Sequence, residues 1–570
     1  MEKTYNLVEL FSGIGSQAKA LKNLGIKVNL RGTSEWDVHA LAAYDVIHNP
    51  PEIPEEIQSM SKEQLLEELY KYTFSNSGKA AMESRYLRTY SEAALRRIYT
   101  SIVRNKNFVD VTRLNGANLA NDIDILTYSF PCQDLSNVGA FHGYNKGIDK
   151  DSGSRSSLLW QVGRILTEMK TAPKPLPRFL LLENVPTLLS KRHFENFKTW
   201  ISDLEDLGYI SQYYQLNASS FGLPQNRPRL LMISVYVGED VGLWSLVREH
   251  FEAKKDPAQV VEDYHNSQFF TQYSVQQLLR TNYSNKKIMA EAIECTPNDT
   301  VSRKKIWEDN PQIILSDGTF NAEIDAIRTI TTKQDRNPNS GNLYFDSGIE
   351  GRSKFRYLTP RECLLFMGFS DEDYKRLKHN NVEFHKCDAL FARDKIIRMA
   401  GNSIPVKLLE GVFYQVLQID HKITEYRQHK LDQNSNTYSE MIRSHLFSRG
   451  IRSRINPNDI CPKHATVAYP KYRTAVYVGR CQYVDECVGI TGCPLYNYNY
   501  WRKRWKKIND MALLRCQDAL NMGWNAILVN PCDFNEGIKQ ETLDWIEQCV
   551  KEGLTNSNRG RVYTCDRSQD

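Results

Sequence analysis

No stretch of the 570 residues stays apolar long enough to cross a membrane. A span needs about 20 predominantly apolar residues, and the best runs, Phe179 to Leu182 and Leu230 to Val237, fall far short. The opening Met1-Glu2-Lys3-Thr4-Tyr5-Asn6 also lacks the apolar core of a secretory leader, so a cytoplasmic protein with no membrane partner is expected. An excess of one charge is nearly missing as well. The 73 Lys and Arg against 68 Asp and Glu leave +5, too faint for a chain coated in positive charge, and any nucleic-acid surface must be local. Cysteine is scarce in the first 420 residues, where only Cys132, Cys295, Cys363 and Cys387 occur, and eight more follow. Without a leader a disulfide framework is not expected, and the late cluster is either metal-binding or inert. What is present is ordinary for a folded protein: 41% hydrophobic, 11% aromatic and 25% charged residues exclude wholesale disorder. At roughly 150 residues per domain the length allows two to four units.

The first half alternates strand and helix. Leu7 to Phe11 is a short apolar run that stops at Ser12-Gly13-Ile14-Gly15, and Ala18, Leu21 and Leu24 then recur at helical spacing as far as Gly25. Further strands are expected at Val28 to Gly32, running into Ser34-Glu35-Trp36-Asp37, and in a stretch ending near Val109-Asp110. Two more are expected at Ile123 to Tyr128, leading to Ser129-Phe130-Pro131-Cys132, and at Phe179 to Leu182, ending at Glu183-Asn184-Val185. Polar residues recurring where buried strands stop predict an α/β fold with a doubly wound, mostly parallel sheet that binds ligands beyond the carboxyl ends of its strands.

Three stretches break this rhythm. Residues 45–107 read as a polar, helical insertion, with Ser61 and Gln64 at capping-box spacing and a second helix from Ser91 to Val103. From about Gly238 to Lys354 the pattern is irregular and rich in Asn, Thr, Tyr and Gln. From His421 on, a polar stretch that includes Asp432-Gln433-Asn434-Ser435-Asn436 reads as a linker into a separate C-terminal region.

A glycine turn between strand and helix lets the backbone approach a nucleotide, and an acid at the end of the next strand can accept from ribose hydroxyls. A tight turn needed only for packing is the other reading. Cys132, after Pro131 and just beyond a buried strand, is either a nucleophile, which needs nearby positive charge or donors, or a small packed hydrophobe. The ordered combination goes further. Phe11-Ser12-Gly13-Ile14-Gly15 is followed by Glu35-Trp36, Asp110, Pro131-Cys132-Gln133 with Ser136 and Gly139, and Glu183-Asn184-Val185. Gln225-Asn226-Arg227-Pro228-Arg229, Arg356, Leu358-Thr359, Arg361-Glu362, Gly368-Phe369 and Gly401-Asn402-Ser403 complete the series. In this order the motifs resemble the cytosine-5 DNA methyltransferase family, from residue 8 to about 415.

The resemblance implies transfer of a methyl group from S-adenosylmethionine to carbon 5 of cytosine in a specific site of double-stranded DNA. It implies Cys132 as the nucleophile at carbon 6, Glu183 at ring N3, Arg229 holding the cytosine and Arg227 supporting the loop. For the cofactor it implies Phe11 against adenine, Ser12, Gly13 and Ile14 near the methionine part, and Glu35 on the ribose. Asp110 would meet the adenine amino group, Trp36 complete that pocket, Pro131 lie near the methionine part, and Asn402 and Ser403 close the site. Small departures are Glu9 where many relatives have Asp, Ser16 where a third glycine is common, and Ser129 where glycine is frequent. A base in a duplex hides its ring, so the target must be extruded. The glycine-rich stretch after Cys132 (Gly139, Gly143, Gly147) then suits a loop that closes over it.

The organisation that follows is a catalytic, cofactor-binding lobe over 1–237 with the insertion, and a smaller target-recognition domain over 238–355. The chain returns to the first lobe over 356–420, and 421–570 forms an accessory region. In the recognition segment, Arg328 to Lys333 and Arg336 to Asn342 offer donors for phosphates and base edges. In the accessory region Cys461 and His464, then Cys481, Cys487 and Cys493, could hold a structural zinc; reduced structural cysteines are the other reading. Trp501-Arg502-Lys503-Arg504-Trp505-Lys506-Lys507 suits phosphate contact with stacking, or a solvated helix face. Cys516, Cys532, Cys549 and Cys565 show no ligand spacing. A monomer on DNA, serving restriction-modification or phage DNA modification beside a cognate restriction endonuclease, is the expected setting. A tRNA cytosine-5 methyltransferase of the same fold and a catalytically silent nucleic-acid-binding protein are the alternatives.

Overall fold

A computed structural model of the protein describes residues 3–131, 155–334 except 173 and 239, 340–433 except 387, 438–453, 462, 465–478, 514–529, 539–555 and 561–564. It divides into two compact units, 1–423 and 424–570.

The first unit is built on strands β1 (Thr4–Leu10), β2 (Lys27–Ser34), β3 (Ile125–Tyr128), β4 (Phe179–Asn184), β5 (Tyr209–Asn217) and β7 (Pro228–Tyr236). β6 (Gln225–Asn226) lies outside this sheet. The sheet order is β2-β1-β3-β4-β7-β5, with the first four strands parallel and β7 antiparallel to both neighbours. The fold is therefore α/β with a mostly parallel, doubly wound sheet. Leu10 pairs with Ser34 and with Tyr128, and Tyr128 pairs with Leu182. These four strands thus stop almost level, and the segments after them emerge along one edge.

Alternation along the strands sends one set of side chains to each face. Val8, Leu10, Leu126, Tyr128, Leu180 and Leu182 join one buried cluster with Trp160, Phe197 and Trp200. Those aromatics come from helices Leu159–Thr171 and Phe194–Leu207. Trp200 Nε1 donates to Tyr128 Oη at 3.1 Å, which satisfies two polar atoms inside that core. On the opposite face Glu9 is fully buried and bonded to the Tyr44 hydroxyl.

The insertion is helical as expected. Ser61 and Gln64 form the reciprocal cap of helix Lys62–Leu69, and Ser91 caps Glu92–Arg104. The strand expected to end near Asp110 does not form: only an isolated parallel bridge, Thr33 to Asn107, is present. The reason is local, since Lys106 and Val109 hold positive φ values of 48° and 63°, which no strand accommodates.

The stretch over 238–355 is more ordered than its composition suggests. Helices Val241–Ala253, Pro257–His265, Val275–Leu278, Lys286–Glu294 and Val301–Asp309 carry side-chain caps from Asp240, Asp256, Ser274, Asn285 and Thr300. Some of the polar residues that break the periodicity are these caps, Asn285 and Thr300 among them. β8 (Gln312–Ile314), β10 (Asn342–Tyr344) and β11 (Phe355–Arg356) form a small sheet, while β9 (Ile327–Arg328) pairs in parallel with β6. β12 (Glu383–His385) and β13 (Asp388–Ala389) pair antiparallel. The stretch from His421 to Gln433, read as linker, instead continues helix Val406–Gln433, whose Leu408, Leu409, Val412, Phe413, Val416, Ile419 and Ile423 are buried.

The second unit is a small α/β body. β14 (Val467–Tyr469) runs antiparallel to β15 (Thr474–Val478), and β16 (Asn525–Val529) and β17 (Val562–Thr564) follow in parallel. One face packs Val476, Ile527 and Val529 against Ile442, Leu446, Ile546 and Val550. The other packs Ala475, Ala526 and Leu528 against Cys516 and Ala519. Cys516 and Cys549 are thus buried in apolar cores. Among the described residues no helix is long and apolar enough to cross a membrane.

Candidate active site

The level ends of β1 and β2 carry Phe11 and Glu35, and Asn107, bonded to Glu35 N and Val109 N, holds the Asp110 segment beside them. Phe11 itself has φ of 58°, and Gly13 and Gly15 follow at 54° and 79°. A side chain on Gly15 would put its Cβ 2.3 Å from His48 Nε2, so glycine is required there. Among the described residues nothing lies within 4 Å of the same test atom over Gly13. The Glu35 carboxylate accepts from Gly13 N at 2.9 Å and from Asp37 N at 2.8 Å. Burial, with the neighbouring Asp37 charge, pushes its pKa up to about 7. Phe11 and Trp36 are half-buried, and Asp110 keeps 16% of its side chain exposed. A glycine turn with the Glu35 carboxylate across it, and the half-buried Phe11 and Trp36 and the Asp110 carboxylate on adjoining segments, suits a nucleoside with a short charged tail.

At the next strand ends the chemistry changes. Glu183, at the end of β4, lies 2.9 Å from Arg229 Nε at the start of β7, and each side chain is 12% exposed. Burial raises the Glu183 pKa, opposed by the Arg229 and Arg227 charges and by a hydrogen bond from Ser129. The pairing follows from topology: antiparallel β4 and β7 set Glu183 opposite Leu231 and Asn184 opposite Leu230. Asn184 Nδ2 donates to Phe130 O at 3.0 Å and so ties this strand to the segment that carries Pro131. Cys132 lies outside the described residues.

Arg227 is placed unlike Arg229. Only 1% exposed, it donates to the carbonyls of Ile330 (2.7 Å), Gly401 (2.8 Å) and Ser403 (2.8 Å). It braces three segments distant in sequence. Gln225 does similar work, donating to Phe366 O at 2.8 Å and accepting from Ile330 N at 3.0 Å. A Cβ on Gly401 would come within 2.6 Å of the backbone of Thr331 and Thr332. Asn402 is exposed beside this contact, and Ser403 is buried and bonded to Met399 O. Arg328, on β9, and Lys333, five residues further on, are exposed, whereas residues 335–339, with Arg336, lie outside the described residues. Further out, Arg356 and Glu362 form a fully buried bidentate pair at 2.8 and 2.9 Å, which explains their presence in the motif series structurally.

Ser12, Gly13 and Ile14 thus follow β1, Glu35 and Trp36 follow β2 and Pro131 follows β3, while Glu183 lies near the end of β4, Arg229 at the start of β7, and Asp110 on a segment with no strand of its own. Cys461, Cys481, Cys487 and Cys493, with His464 and the basic segment 501–507, lie outside the described residues. Two residues, Asn107 and Arg398, escaped the sequence reading, and Asn184 was quoted in its motif without a role. Asn107 bridges the Glu35 and Asp110 segments, Arg398 pairs with Asp37 at 2.8 Å, and Asn184 ties β4 to Phe130. Only Asn184 had a local signal, its place beside Glu183.

Fold and site together define a nucleotide-cofactor enzyme of the α/β methyltransferase type. The C-5 cytosine-specific DNA methylase model matches residues 72–418. The orphan methyltransferase M.SssI of Spiroplasma monobiae is 31% identical over 418 residues, 73% of this chain and 97% of its own. The type II methyltransferase M2.ScrFI of Lactococcus lactis subsp. cremoris is 31% identical over 415 residues, 72% and 98% of the two chains. Among solved structures, the S. pombe Dnmt2 methyltransferase aligns with 73% of this chain and 99% of its own at 15% identity and a TM-score of 0.41. The chain belongs to the C-5 cytosine-specific DNA methylase family. It is a DNA cytosine-5 methyltransferase, and its methyl donor is S-adenosylmethionine.

Proposed function

We propose that the enzyme methylates a cytosine flipped out of a specific duplex DNA site through a covalent adduct on Cys132. The observation that carries this is the Glu183–Arg229 pair at the carboxyl edge of the sheet, joined through Asn184 to the Phe130-Pro131 segment that leads into Cys132. Phe11, Ser12, Gly13, Ile14, Glu35, Trp36, Asp110, Pro131, Asn402 and Ser403 hold S-adenosylmethionine, whose sulfonium supplies an electrophilic methyl group. Glu183, its pKa raised by burial, shares or donates a proton at cytosine N3, and Arg229 holds the base and keeps Glu183 oriented. The Cys132 thiolate forms a bond to carbon 6, and the electron pair this moves toward carbon 5 makes that atom nucleophilic. After carbon 5 is methylated, a base, water being sufficient, removes its proton. The electrons re-form the ring double bond as the bond from sulfur to carbon 6 breaks. Arg227 is a positioning residue, because its guanidinium is engaged with backbone carbonyls.

The substrate is duplex DNA read through the 238–355 region, and the enzyme acts as a cytoplasmic monomer in restriction-modification or phage DNA modification, beside a cognate endonuclease in the first case. A structural zinc on Cys461, Cys481, Cys487 and Cys493 is the finer reading of the late cysteines. About one zinc per chain by elemental analysis is expected for it, and none would end it. For the mechanism, Cys132→Ala is expected to abolish transfer while S-adenosylmethionine still binds. Wild-type protein should stay bound through denaturing electrophoresis to a duplex carrying 5-fluorocytosine, whose carbon 5 lacks the proton that elimination removes. Transfer by Cys132→Ala near the wild-type rate would refute the covalent step.

A further inference from the structure

Between the insertion and Asp110 the backbone makes a turn that its residues do not favour. Asp110 N donates to Phe108 O at 2.8 Å while Val109 between them has φ of 63°. A three-residue turn with a left-handed centre is rare and strained, and a β-branched residue in that conformation is an outlier that its surroundings must impose. The surroundings are specific. Asn107 Oδ1 accepts from Val109 N at 2.8 Å, and Ser34 Oγ donates to Val109 O at 3.1 Å, so both backbone groups of the strained residue are held. The same Asn107 Oδ1 accepts from Glu35 N at 3.1 Å, and its Nδ2 donates to Glu35 O at 3.2 Å. Asn107 is only 5% exposed and Val109 2%. One buried amide is thus bonded on both sides of Glu35 and on the residue before Asp110. Backbone bonds support this from beneath, with Phe108 N donating to Thr33 O at 2.8 Å.

We propose that Asn107 is a positioning residue for S-adenosylmethionine: by clamping Val109 in the left-handed turn and gripping both backbone groups of Glu35, it sets the spacing of the ribose and adenine carboxylates before the cofactor arrives. This rests on the reading that Glu35 and Asp110 hold the cofactor. Without the clamp, Val109 relaxes to a negative φ, the turn opens, and the Asp110 carboxylate shifts relative to Glu35. The cost then falls on each binding event, because the turn must be re-formed. A glycine at 109 adopts positive φ about as readily as negative, so it removes the need for the clamp.

The test measures S-adenosylmethionine dissociation constants by calorimetry together with steady-state kinetics on duplex DNA. Asn107→Ala is expected to weaken cofactor binding about tenfold, the low end of what one residue held in a sparsely populated backbone region costs. The kcat at saturating cofactor and the KM for DNA should stay within about twofold of wild type. The double variant Asn107→Ala/Val109→Gly should recover cofactor affinity to within about threefold of Val109→Gly alone. A residue that merely stabilises the fold would not be rescued this way, because removing the buried Val109 side chain lowers stability further. Asn107→Ser, measured in the same two backgrounds, carries the test if the alanine variant does not fold. Unchanged affinity in the Asn107 variants, or loss that Val109→Gly does not restore, overturns the proposal. A separate arm, Glu35→Ala, tests the reading beneath it: wild-type affinity there would remove Glu35 from the cofactor site whatever Asn107 does.

Discussion

Glu35 should make cofactor binding pH-dependent, with a sign and size that follow from its surroundings. Its carboxyl is pushed up to about 7 mainly by burial, then by the Asp37 charge, against the pull of the Asp37, Gly13 and Trp36 amides. Ribose hydroxyls are donors and bind the carboxylate, not the acid, so binding must expel the proton that the free protein holds below pH 7. The affinity is then reduced by the factor 1 + 10^(pKa − pH), about elevenfold at pH 6 and negligibly at pH 8. Near pH 6 roughly 0.9 proton should leave on binding, which calorimetry in buffers of different ionisation enthalpy reads directly. Glu35→Gln is the matched control, since it cannot titrate; it should bind more weakly at pH 8 and lose this part of the pH dependence. Wild-type affinity that is flat from pH 6 to 8, or an identical slope in Glu35→Gln, would refute the reasoning.

Other outcomes follow from single contacts. His250 is 3% exposed, and burial with the Lys422 and Lys254 charges lowers its pKa to about 4. The folded state therefore disfavours the imidazolium: the stability is present above the unfolded value of about 6.5 and is lost as pH falls toward 4, by an amount on the order of 3 kcal/mol. Urea unfolding should show His250→Leu losing less stability than wild type between pH 7 and 5, and equal losses would count against it. Arg227→Ala leaves three buried carbonyls without their charged donor and should cost about 3 kcal/mol or more, read as a lower Tm with transfer lost. A near wild-type Tm would mean the brace is dispensable. Gly401→Ala drives a Cβ into the Thr331 and Thr332 backbone at 2.6 Å. It should raise the KM for DNA more than that for cofactor, because it displaces the Thr331-Thr332 backbone between the exposed Arg328 and Lys333; a selective loss of cofactor affinity would contradict that.

Much of the sheet was legible because its signals are local. Leu7 to Phe11 ending in Ser12-Gly13-Ile14-Gly15 is an apolar run stopped by a turn, and the strand runs over Thr4–Leu10. Ser61 and Gln64 announce a helix start through spacing alone. Other features depend on partners far along the chain. Val109 itself gives no sign of a left-handed backbone, because the conformation is held by Asn107 together with Ser34, which only the fold brings to it. The brace by Arg227 needs Ile330, Gly401 and Ser403, which only the fold brings to it. In the 238–355 region, read as irregular from its Asn, Thr, Tyr and Gln, Asn285 and Thr300 cap helices, a role that composition does not distinguish from loops. The second unit was read through its cysteines and charges, while its strands, such as Thr474–Val478 and Asn525–Val529, are too short to declare a sheet before they pair.

The central claim is methyl transfer to carbon 5 of cytosine in DNA. Its most direct measurement is to incubate the purified protein with duplex DNA and S-adenosylmethionine carrying a labelled methyl group, digest the DNA to nucleosides and identify the labelled product by mass spectrometry. The account predicts 5-methyl-2′-deoxycytidine as the labelled nucleoside, absent when Cys132→Ala replaces the wild type. Label on an adenine, on the exocyclic nitrogen of cytosine, or on tRNA with none in DNA would contradict it.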